Sequence, residues 1–123
     1  MPLRQDFIGR LIQQLADFFA RALKQIQEGQ LDEAEATIAE AERSLGLPRG
    51  MERLDARSAA MMLGGGDKVV LAALLLEQKA LMAASRGREA DAKTLRARAQ
   101  SLLSHAKPHE LGTEAGELAE RLH

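Results

Sequence analysis

The stretch Ala22-Leu23-Lys24-Gln25-Ile26-Gln27-Glu28-Gly29-Gln30-Leu31-Asp32-Glu33-Ala34 decides the fold, because its pattern returns 58 residues later. The second copy reads Ala80-Leu81-Met82-Ala83-Ala84-Ser85-Arg86-Gly87-Arg88-Glu89-Ala90-Asp91-Ala92. Ala22, Gly29, Ala34 and Ala41 correspond to Ala80, Gly87, Ala92 and Ala99, and the pairs Leu23/Leu81 and Leu45/Leu103 keep the same offset. Each copy carries the same physical logic. A small residue before the glycine lets two helices approach closely. The glycine permits a tight turn. The two later alanines, seven apart, hold the second helix against the first.

Apolar residues extend this pattern outward in both directions. Phe7, Ile8, Leu11, Ile12, Leu15, Phe18, Phe19, Ala22, Leu23 and Ile26 recur at three- and four-residue steps, which predicts a helix over 3–28. Leu31, Ala34, Ile38, Ala41 and Leu45 predict a second helix over 31–45, with Asp32 and Glu33 suited to its positive end. The joint is two or three residues long, so the two form an antiparallel hairpin over 3–46. A connector helix is expected within 50–66, ending before Gly64-Gly65-Gly66, with Asp67 as the N-cap of the next helix. That fourth helix, 67–86, is apolar nearly all round and is expected to be the central element. The fifth, 88–106, presents Ala92, Leu95, Ala99, Leu102, Leu103 and Ala106, and it closes a second hairpin over 67–107 at Pro108. A short acidic helix over 110–122 is expected to be the least stable. The whole reads as one all-α domain of five to six helices.

This spacing resembles the tetratricopeptide repeat, in which two antiparallel helices pack through small residues around a short turn. The likeness covers about 18–47 and 76–105, and Gly29-Gln30-Leu31-Asp32-Glu33-Ala34 carries it best. The period of 58 exceeds the family's usual value of about 34, the connector filling the excess. Gln25 and Ala83 stand where that repeat carries large residues, and Arg96 stands where the first copy has Ile38. The opening Arg4-Gln5-Asp6-Phe7-Ile8 through Leu15-Ala16 is similar to a family of small bacterial proteins with such hairpins and no assigned activity. The resemblance implies a protein-interaction module.

Composition excludes much chemistry. The 123 residues include 22 Ala and 20 Leu but no Cys, Trp or Tyr, and only three Phe, all in the first helix. Few aromatic and β-branched residues argue against a sandwich or barrel. Without cysteine there is no disulfide, thiol nucleophile or Cys-based zinc site. The net charge of −1 gives no sign of a nucleic-acid partner. The longest apolar run, Val69 to Leu76, is too short to span a bilayer, and the start lacks a signal-peptide pattern, so a cytoplasmic protein is expected.

The remaining motifs each have a plainer use. His105 and His109 have metal-binding spacing, but Pro108 lies between them and no third ligand is evident. Glu120-x-x-His123 is half of a di-iron motif and lacks its partners. The triple glycine followed by Asp67-Lys68 lacks the strand and hydroxyl of a phosphate loop, and reads as a joint. Met51, Met61, Met62 and Met82 are either core filler or an adaptable binding surface. Arg49, Arg53 and Arg57, four apart, would form one ridge if the connector helix starts near Gly50. Five carboxylates against Arg43 give helix two a net charge of −4, whereas residues 86–107 carry +4. These matched helices are expected to attract, within a chain or across a dimer.

No catalytic residue, metal or cofactor is assigned. The expected role is a non-catalytic interaction module, self-associating as a homodimer. The expected interaction surface is Arg49, Arg53, Arg57, Arg86, Arg88, Lys93 and Arg96. The alternatives are a purely structural homodimer, or a bundle binding a small apolar ligand.

Overall fold

A computed structural model describes residues 3–46, 53–63 and 66–105, with side chains described from Gly9 onward. The described residues form five helices: α1 (Leu3–Gln27), α2 (Leu31–Leu45), α3 (Ala56–Leu63), α4 (Gly66–Ser85) and α5 (Glu89–Leu103). The fold is all-α. The predicted helix over 110–122, along with Arg49, Met51 and His109, lies outside the described residues.

The two joints are built alike. Gly29 has φ +78° and Gly87 φ +79°, both left-handed. In the first, Gly29 N donates to Ile26 O at 3.1 Å and Gln30 N to Gln25 O at 2.8 Å. In the second, Gly87 N donates to Ala84 O at 3.0 Å and Arg88 N to Ala83 O at 2.8 Å. Each is a Schellman pair that satisfies the last carbonyls of one helix while turning the chain into the next. Every donor and acceptor keeps the 58-residue offset. A Cβ at either glycine would meet nothing within 4 Å, so the demand for glycine is one of backbone conformation alone.

The repeat-defining alanines lie in the helix contacts. Ala22, Ala34, Ala41, Ala80, Ala92 and Ala99 are all fully buried. α1 packs on α2, and α4 on α5 along its length. The hairpins then meet through α4. Leu71, Leu75 and Met82 join a core with Leu11, Leu15, Phe19, Ile38 and Leu45 of the first hairpin. Val69, Val70, Ala72, Ala73 and Leu76 join a second core with Ala59 and Leu63 of α3 and Ala99, Leu102 and Leu103 of α5. α4 is apolar nearly all round because it has neighbours nearly all round, as its composition predicts.

Several expectations are corrected. α3 begins at Ala56, not near Gly50, because Asp55 caps it: Ser58 N donates to Asp55 Oδ1 at 2.7 Å. Arg53 therefore precedes the helix and only Arg57 lies on it, so no Arg49–Arg53–Arg57 ridge forms along one helix. Gly66 belongs to α4, and Asp67 sits buried in its first turn instead of capping it. α5 ends at Leu103, three residues short of the expected 106. Leu23 points outward, 42% exposed, although its spacing placed it in the core stripe. Thr37, outside the predicted stripe of α2, is buried. Its hydroxyl lies 2.8 Å from Gln25 Oε1 and 3.0 Å from Glu33 O, so burial leaves no unpaired polar atom there.

Candidate docking cleft

Three helices enclose an open-sided cleft of about 550 Å³. α2 supplies one wall with Glu35, Ile38, Ala39 and Glu42, which are positions of a single helical face. The other wall is Arg88, the N-cap of α5, with Asp91, Thr94 and Leu95 of that helix. Lys79, Met82 and Ala83 of α4 make the floor. Each wall spans eight residues, or about 10 Å from first to last.

The two repeat copies differ beside this hollow. Ala83 and Leu95 are the second-copy counterparts of Gln25 and Thr37. In the first hairpin the Thr37 hydroxyl donates to Gln25 Oε1 at 2.8 Å. In the second, Ala83 ends at Cβ and Leu95 packs against it, and the cleft lies beside them, bounded on its other side by α2. Ala39 adds a second small residue on the facing wall.

Two ion-pair sites tie α2 to the second hairpin along this wall. Arg86 donates from Nη2 to Asp32 Oδ1 at 2.6 Å and from Nε to Glu35 Oε1 at 2.9 Å. Lys79 Nζ donates to Glu42 Oε2 at 2.7 Å. Glu35 and Glu42 are seven apart, as are Lys79 and Arg86, so α2 and α4 run antiparallel with the two ties two turns apart. The hydrogen bond to Asp32 raises the Arg86 pKa above the usual arginine value, partial burial opposes this, and Glu35 adds to the rise. The expected attraction between the acidic helix two and the basic second copy is thus met inside the chain at Arg86. The base is held in the α4–α5 joint.

The other candidate residues are dispersed. Arg88 lies on the cleft wall, exposed, with no ion-pair partner among the described residues. Lys93 and Arg96 are exposed on the opposite flank of α5, away from the cleft. Arg96 is the counterpart of Ile38, which is buried against α4. No third hairpin covers α5 among the described residues, and the equivalent position there is charged instead of apolar. Arg53 and Arg57 are exposed around the start of α3. The bond from Ser58 N lowers the Asp55 pKa, the Ser58 side chain adds to this, and the charges of Arg98 and Arg57 contribute.

Met61 and Met62 are 74% and 54% exposed, which corrects their reading as core filler, while Met82 is buried. His105 is exposed just beyond α5. No group of three or more His, Cys, Asp or Glu is placed to hold a metal among the described residues. No described helix is long and apolar enough to cross a membrane. Neither histidine nor cysteine lines the cleft. Thr94, its one hydroxyl, donates to Ala90 O of its own helix at 3.1 Å.

Ala83 departs from the repeat, but a single small residue carries no sign of a cleft whose walls come from other helices. The heptad spacing of Glu35/Glu42 and Lys79/Arg86 was a readable signal for the antiparallel wall. No protein-family model, curated protein or solved structure matches the chain.

Proposed function

We propose that the chain is a non-catalytic, tetratricopeptide-like interaction module that binds a peptide segment of a partner protein in the cleft between α2 and α5. One observation carries this: a two-turn hollow between α2 and α5 with Met82 and Ala83 in its floor and charged residues at its margins. Its size falls within the usual range of ligand sites, and its apolar floor with polar margins is the usual division of labour in such sites. Of its charged lining residues, Glu42 pairs with Lys79 and Glu35 with Arg86. They shape the site without offering an activated nucleophile or base.

The experiment is a panning of displayed random peptides against the whole chain. Retained peptides are then titrated against the wild type and Ala83→Leu. Filling the hollow is expected to weaken binding by about tenfold or more. Peptides bound equally well by Ala83→Leu would place recognition elsewhere and overturn the proposal.

A second reading, self-association, is favoured by a separate observation. Met61 and Met62 stand side by side on α3 and are mostly exposed. A second copy covering them would bury two flexible apolar side chains. Sedimentation at micromolar concentrations checks this. Dimers that dissociate in a Met61→Lys, Met62→Lys variant are expected, and a monomer at all concentrations contradicts it.

A further inference from the structure

We infer that the occupant of the cleft is a short amphipathic helix of a partner protein, laid end to end with α3 in one trough and led by an acidic residue facing Arg88. This rests on the peptide-binding role proposed above. The cleft continues a longer trough along α4 and α5. The rest of that trough is occupied by α3, which packs on both helices, and the two parts meet at Leu95, which lines the cleft and packs against the α3 core.

The flank of α5 that faces the trough is continuous. Asp91 and Leu95 border the open half. Leu102 is fully buried in the core that holds α3, and Arg98 lies near Asp55 at its start. Lys93 and Arg96, on the other flank, are exposed.

Length and packing agree. α3 has eight residues, about 12 Å of helix, and the open half is about 10 Å long. α3 seats Ala59 and Leu63, four apart, in the core that includes Ala72 and Ala73 of α4. The open half likewise includes small residues, Ala83 below and Ala39 at the side, which leave room for the apolar side chains of a helix. An extended peptide gains less. Trough walls made of helices have their N–H and C=O groups already bonded within each helix, so they offer an extended backbone no ladder. A helical occupant satisfies its own.

Charge sets the polarity. Arg98 faces the acid that starts α3. Arg88 is ten residues earlier, about 15 Å along the same helix, at the far end of the open half. Glu35 and Glu42 on the facing wall are held by Arg86 and Lys79, which leaves Arg88 for the occupant. Asp91, one turn further in, disfavours a second acid there.

The test uses peptides of about twelve residues, selected from a random displayed library on the full-length chain. Expected are sequences with an Asp or Glu followed by apolar residues three or four apart. Their circular dichroism should turn helical on binding, and amide shifts should map to Ala39, Met82 and Ala83. Arg88→Glu should weaken such peptides about tenfold while leaving acid-free ones unchanged. Ala39→Leu gives a second filling variant should Ala83→Leu prove poorly folded. Peptides that bind in the cleft in extended form, or without the acid preference, overturn the helical occupant and leave the peptide-binding role intact. Peptides that map outside the cleft, or the absence of any binder, overturn both.

Discussion

Gly29 and Gly87 occupy left-handed backbone in open surroundings. Replacing either by alanine therefore meets no clash, only the conformational penalty of an L-residue there, about 1 kcal/mol each. Urea unfolding checks this, and the double variant should lose the sum of the two, since the joints share no partner. The alanines fail in the opposite way. Ala92 is fully buried in the α4–α5 contact, so Ala92→Leu is expected to cost about 1–3 kcal/mol by forcing the helices apart. Ala90→Leu, on the exposed side of the same helix, should stay within about 0.5 kcal/mol. These positions were legible in the sequence because glycine and alanine act through size and backbone freedom, which the residue type states outright. The Gln25–Thr37 contact was not legible. Polar residues signal surface until a partner is known, and that partner lies across the helix pair.

Among the elements, α3 shows where periodicity misleads. Arginines four apart imitate a helical face, but the Asp55 cap places the helix start after Arg53. The lowered pKa of Asp55 gives a sign for the pH effect. A carboxyl whose folded pKa lies below its unfolded value stabilises the fold above the unfolded value, and the contribution is lost as pH falls through the folded one. Acidification below the ordinary aspartate range should therefore loosen the start of α3. Amide exchange at Ser58 and Ala59 should report it, and Asp55→Ala should show the same exchange at neutral pH without further change on acidification. The ties of α2 to the second hairpin respond to salt instead. Arg86→Ala should lower the melting temperature at low ionic strength, and the deficit should shrink as salt screens the pair in the wild type. A deficit that does not change with salt would mean that Arg86 acts through packing alone. α4 was legible as the central helix because its polar residues are too few to make a solvated face. Its exact neighbours were not, since Leu71 and Leu76 look alike in sequence and belong to different cores.

At the scale of the whole molecule, two hairpins of one design meet at α4, and a cleft lies where α2 of one faces α5 of the other. The all-α architecture and both hairpins could be read along the chain. The cleft could not, because its three sides come from α2, α4 and α5, and only the packing of one hairpin on the other brings Glu42, Lys79 and Leu95 to one hollow. Position in the stack also separates Ile38 from Arg96, since the first hairpin has a neighbour to cover that face. The most direct test is a calorimetric titration of one selected peptide into the wild type and into Ala83→Leu, after matched circular dichroism and urea curves establish that both are folded. Binding to the wild type, weakened about tenfold or more by the added side chain, is the predicted result. Equal affinity for the two chains would contradict it.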